Sequence, residues 1–191
     1  IVRGRSVVRA NRVSFYDMEF FSNATTSASL VIGDNVTESA YSHVEHCIFA
    51  SDGTTEPACG CVVHGGNGHT FINSKFVDNT NGLIVRGGLN SFPSGIVVKD
   101  CTFLEQTTVD FGTGAHGDTA ATLPLNFGLD AGIRNLVCVD NYFGGGVTIP
   151  TDFVNIVGAS SGFMSGNRFA SATNASATIT IPYSEADIPA G

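Results

Sequence analysis

The chain has 191 residues, 42% of them apolar and only 14% charged, with 23 glycines and a formal net charge of −8. This composition supports a real core but shows no basic stripe, so nucleic acid is not expected as a direct partner. No apolar run approaches the length of a membrane span, no signal peptide leads the chain, and no ten residues keep a helical stripe.

Taken in chain order, six short segments end on a phenylalanine: Phe20, Phe49, Phe76, Phe103, Phe143 and Phe169. The intervals between them are 29, 27, 27, 40 and 26 residues. An apolar or sulfur residue stands five before each anchor: Phe15, Val44, Phe71, Val98, Cys138 and Met164. A residue of small or modest size stands two before it: Met18, Cys47, Ser74, Cys101, Asn141 and Asn167. Self-similarity at such a period marks an array of one supersecondary unit. Around Phe103 the pattern predicts Val98, Cys101 and Phe103 facing inward, with a bend at Lys99 and Asp100 where the alternation breaks. Between anchors a second short strand ending in glycine is predicted at residues 30–33, 61–66 and 83–88.

Three before each anchor lies a mostly polar column of Asp17, His46, Asn73, Asp100, Asp140 and Gly166. A row of carboxylates invites a functional reading. The preferred one is that Asn and Asp serve tight turns and nearby backbone groups, and stack because the unit repeats. The long interval after Phe103 places an insertion within residues 104–132, the first place to look for function. Residues 172–191 leave the repeat and are expected to cap it or to contact a neighbouring subunit.

Five cysteines cannot all pair within the chain. Cys47 and Cys101 are expected as members of a buried row rather than a disulfide, because two turns separate them by roughly 9–10 Å. Cys59 and Cys61 form a Cys-x-Cys. A metal pair or a strained bridge there is the less favoured reading, since no second ligand pair exists. His43 and His46, three apart on one strand, also have poor metal spacing. No metal or cofactor is expected. The sequons at Asn23, Asn35 and Asn174 are as frequent as chance allows.

The polar-x-x-Phe core, from Asp17–Phe20 through Asp140–Phe143, resembles the right-handed parallel β-helix of the pectin-lyase-like superfamily, over most of the chain. The resemblance implies an all-β fold, a right-handed parallel β-helix solenoid of about six rungs filling residues 1–171. A β-sandwich is the runner-up, but it gives no reason for six copies of one motif in register.

The superfamily includes polysaccharide lyases and hydrolases, phage tailspikes and adhesins. Its polygalacturonase-like members carry Asn-Thr-Asp, Asp-Asp, Gly-His-Gly and Arg-Ile-Lys segments. This chain has Asn79-Thr80-Asn81, no Asp-Asp pair and no Arg-x-Lys. No acid cluster with a nearby arginine, as pectate-lyase-like members use, can be read either. Catalysis is therefore not favoured, with Glu105, His116 and Asp118 of the insertion as the weak catalytic candidates. His64 and Arg86 each follow a Val-Val or Ile-Val pair and precede Gly-Gly, so they are expected to stack on neighbouring rungs facing solvent. With His69 they form the candidate binding group for an anion or sugar acid, against the plainer reading of solvated surface residues.

The leading expectation is a non-catalytic structural or receptor-binding protein of a virion appendage or cell surface, contacting glycans. It is expected to be a homo-oligomer, a trimer being one arrangement, because the ends of such a rod expose strand edges. The alternative is a polysaccharide lyase or glycoside hydrolase. The start at Ile1, inside a repeat, suggests a piece of a longer polypeptide.

Overall fold

Phe20, Phe49, Phe76, Phe103, Phe143 and Phe169 stand directly opposite one another on six successive parallel strands. The computed structural model describes residues 1–23, 27–34, 37–51, 59–87, 92–104, 108–113, 133–144, 154–156 and 161–170. Within them the chain is all-β, and every strand pairing is parallel.

The first sheet has seven strands: Val2–Arg3, Glu19–Ser22, Ile48–Ser51, Lys75–Val77, Thr102–Leu104, Tyr142–Gly144 and Arg168–Ala170. The second has six: Ser6–Val8, Ala28–Ile32, Cys59–His64, Asn81–Arg86, Thr108–Thr113 and Val154–Ile156. The third also has six: Ser14–Tyr16, His43–Glu45, Thr70–Ile72, Val97–Lys99, Leu136–Val139 and Gly162–Ser165. The chain visits the sheets in strict rotation, so each strand pairs with the strand three elements later. That rotation makes a three-sided coil in which each turn covers the apolar side chains of the last.

The core is the inside of this coil. Phe20, Phe49, Phe76, Phe103 and Phe143 are buried and form four successive stacked pairs, with centroids 4.7–5.0 Å apart and ring planes within 7°. The ring spacing follows the distance between paired strands, roughly 4.8 Å. Each stacked pair adds about 1 kcal/mol beyond simple burial. Val44, Phe71, Val98, Cys138 and Met164 from the third sheet complete the same cluster, with Leu30, Cys61, Leu83 and their neighbours from the second.

The corners explain the polar column. Asp17, His46, Asn73, Asp100 and Asp140 all have φ between 47 and 57°, and Gly166 follows at 66°. This left-handed conformation turns the chain from the third sheet to the first, and Asn, Asp and His tolerate it better than most residues. Each corner N–H then donates to the next turn: Asp17 to the Glu45 carbonyl, His46 to Ile72, Asn73 to Lys99, Asp100 to Val139 and Asp140 to Ser165. A second left-handed column, Arg12, Tyr41, Gly68, Gly95 and Asn135, turns the chain from the second sheet to the third. A Cβ at Gly166 would stand 2.1 Å from the Asp140 carboxylate oxygen, so the column ends on the one residue without a side chain.

The broken interval is partly regular. Thr108–Thr113 continues the second sheet, pairing with Asn81–Arg86 before it and Val154–Ile156 after it. Thr113 stands opposite Arg86 and Val137 opposite Val97, so the residues in excess of the period fall between Thr113 and Leu136. Most of the insertion, and all of residues 172–191, lie outside the described residues.

Candidate functional site

The three sheets present different outer faces. On the second sheet, Ala28, Val31, Cys59, Val62 and Ile84 form a separate cluster behind the strands, each at most 1% exposed. A parallel strand buried on both faces needs a continuous apolar run, and Leu30-Val31-Ile32, Cys61-Val62-Val63 and Leu83-Ile84-Val85 supply it. The third sheet is apolar inward and open outward. There, Tyr16 is 54% exposed. His43 and Glu45 are about a quarter to a third exposed, and Thr70 is half-buried.

These outward residues make one hydrogen-bonded group. Strand alternation puts His43 and Glu45 on the same face, two residues apart, and the register sets Thr70 directly opposite His43 on the next turn. Imidazole Nδ1 lies 2.5 Å from the Thr70 hydroxyl, and Nε2 lies 3.0 Å from the Glu45 carboxylate. A neutral ring that donates its Nε2–H to Glu45 leaves the Nδ1 lone pair to accept the Thr70 O–H. The Tyr16 ring tilts against the imidazole, its centroid 5.3 Å away. Beside this group, exposed pairs at 3.8 Å join His46 to Asp17 and Lys99 to Asp100 at the corner. Such exposed pairs contribute little to stability.

The expected residues fall elsewhere. His64 and Arg86 do stand opposite each other on adjacent strands. Their expected exposure is corrected: His64 is 2% and Arg86 0% exposed, on a sheet whose outer face is covered. His69 is also buried, with Nδ1 accepting the Ser42 N–H at 3.4 Å. Burial lowers the pKa of its imidazole, against the smaller opposing effect of the Ser39 and Gly65 carbonyls. Glu105, His116 and Asp118 lie outside the described residues.

All five cysteines are buried and none forms a disulfide. Cys59 and Cys61 form no bridge; they point to opposite faces of their strand, into the outer cluster and the core respectively. Burial pushes the Cys101 and Cys138 thiols up to about 12. Cys61, also desolvated, is raised well above its ordinary value. Among the described residues no three His, Cys, Asp or Glu side chains gather where they could hold a metal ion, and no helix is long and apolar enough to cross a membrane.

The His43–Glu45–Thr70 group was not anticipated as a unit. Its signal was present in two parts, the His-x-Glu alternation and the 27-residue interval between His43 and Thr70, which equals the period. Comparison with protein-family models, with curated proteins and with solved structures finds no match to this chain.

Proposed function

We propose that the chain is a non-catalytic structural and receptor-binding rod of a virion appendage or cell surface, contacting glycans through the outer face of its third sheet. One observation carries this reading. The polar residues that recur turn after turn are used by left-handed corners, whereas Tyr16, His43, Glu45 and Thr70 stand together on an open sheet face. An exposed aromatic ring beside hydrogen-bonding groups is the chemistry that a sugar ring meets with its apolar face and its hydroxyls.

The coil we take to be a right-handed parallel β-helix of about six rungs, of the pectin-lyase-like kind. Parallel crossover connections are right-handed in about 98% of cases, which supports the hand. The resemblance to tailspikes and adhesins supports the surface role. The covered outer face of the second sheet moves the contact surface from the His64–Arg86 row to the third sheet. We also take the chain to be a homo-oligomer, for instance a trimer; strand edges at the ends of a parallel coil call for a cap, further chain or a neighbouring subunit.

The test is a polysaccharide panel scored for both binding and product release, with light scattering on the same sample. The reading expects saturable binding to at least one polymer, no release of reducing ends or unsaturated products, and a mass above that of one chain. Sustained product release would replace it with a polysaccharide-cleaving enzyme, and a monomer at high concentration would remove the oligomer.

A further inference from the structure

We infer that Thr70 is an activated hydroxyl that takes an acyl group from activated esters and keeps it as a stable ester. The inference does not depend on the glycan reading. It rests on the chain of contacts from Glu45 through His43 to Thr70. A hydroxyl nucleophile requires a base within hydrogen-bond reach and a third group that orients the base. His43 Nδ1 sits 2.5 Å from Thr70 Oγ1, and the Glu45 carboxylate holds the opposite ring nitrogen at 3.0 Å. Both strands are fixed by the ladder, with Thr70 N–H on the Ser42 carbonyl at 2.9 Å and His43 N–H on the Val13 carbonyl at 2.9 Å. Thr70 is half-buried on the outward face of the third sheet, the side from which a small acyl donor would approach.

The step balances without a further reagent. Thr70 Oγ forms a bond to the acyl carbon of an aryl ester or thioester while its proton passes to His43 Nδ1. The tetrahedral adduct collapses, the bond from the acyl carbon to the leaving oxygen or sulfur breaks, and the leaving group takes the proton from His43. Glu45 stabilises the transient imidazolium through its Nε2–H.

What the site lacks decides the outcome. Rapid acyl transfer uses backbone or side-chain donors aimed at the developing oxyanion. The N–H of Thr70 is already committed to Ser42, and the adjacent strand's Val97 N–H to the His69 carbonyl at 2.9 Å. With these two N–H groups committed, an ester with a good leaving group is the expected acyl donor. The product, an alkyl ester of threonine, has a poor leaving group and resists hydrolysis. Single acylation, not turnover, is the expected behaviour, and it suits a surface protein that becomes covalently joined to an acyl-bearing partner.

The experiment treats the folded chain with p-nitrophenyl acetate and follows p-nitrophenolate release, intact mass and the peptide that carries the acetyl group. The expected result is one equivalent released and one acetyl on Thr70. Thr70→Val keeps the shape and removes that label. His43→Gln slows it by about 100-fold or more, the range for loss of a general base, and Glu45→Gln slows it less. Thermal unfolding of each variant confirms the fold, and if His43→Gln does not fold, Thr70→Val and Glu45→Gln still decide. An unmodified Thr70 with acetyl only on amines such as Lys75 or Lys99 overturns the inference. So does labelling of Thr70 at an unchanged rate in His43→Gln, or release continuing far past one equivalent. Because no glycan is present, none of these outcomes bears on glycan contact.

Discussion

Asn141 Oδ1 accepts the backbone N–H of Cys101 from the preceding turn at 2.9 Å, while its Nδ2 donates to the Val98 carbonyl at 3.0 Å. The same column continues upward, where Asn167 Oδ1 accepts the Asn141 N–H, and downward, where Ser74 Oγ accepts the Cys47 N–H at 3.2 Å. From Cys47 through Asn167, the residue two before the phenylalanine thus bonds backbone groups around the corner. Where that residue is cysteine, its thiol points to corner carbonyls, Cys101 to Phe71 at 3.5 Å and to Lys99 at 3.4 Å.

Asn141→Leu should therefore cost far more than its size change suggests. It orphans the Cys101 N–H inside the coil, for about 2 kcal/mol in urea unfolding. Asn141→Ser, which copies Ser74, should recover part of that loss. Equal stability of the leucine variant and the parent chain would show that these bonds do not matter.

The left-handed corners make a second prediction. Asp100 has φ 52°, so Asp100→Gly should change stability by less than about 0.5 kcal/mol, whereas Asp100→Val should lose about 1–2 kcal/mol. A catalytic carboxylate would instead lose activity in both variants without this order of stability. Guanidinium melts of the two variants give the comparison.

The pH dependence of stability follows from His69. Its pKa lies below the ordinary 6.5 because burial disfavours the charged ring. The unfolded chain then binds the extra proton first, so stability is full above about pH 6.5 and falls as pH drops toward the folded-state pKa. Replacing His69 with Gln should make the loss between about pH 7 and pH 5 shallower, by up to about 1.4 kcal/mol per unit. An unchanged slope would mean that the carboxylates alone govern acid unfolding.

The thiols act at the other end of the scale. Cys101 and Cys138 are pushed to about 12, above the value near 9 that they have when unfolded. Their contribution is complete below pH 9 and is lost as pH rises toward 12. In the native chain at pH 8, a disulfide reagent should find no rapidly reacting thiol, and all five should appear on adding denaturant. Fast native labelling at any of the five would contradict their burial.

The phenylalanine period was enough to predict the all-β coil, its inward residues and its corners, because every turn buries the same position. Asp100 as a turn residue and Cys47 and Cys101 as a buried row followed from that alone. Arg86 and His64 did not, since the period alone does not say whether a strand's second face is covered. The uninterrupted run Leu83-Ile84-Val85 was the available clue, because a strand with one wet face alternates. The Glu45–His43–Thr70 contact required alternation and period to be combined. The hydrogen-bonding work of Asn141 could not be seen from residue size.

Tyr16→Ala probes the outer face of the third sheet as the glycan-contacting surface. Tyr16 lies on an edge of the His43 group and is more than half exposed, so its removal should leave the melting temperature nearly unchanged. With the polysaccharide that binds the parent chain best, calorimetry should show affinity falling about tenfold, the loss expected for about 1.4 kcal/mol of stacking. Unchanged affinity in Tyr16→Ala, or no binding of any panel member by the parent chain, would contradict the account.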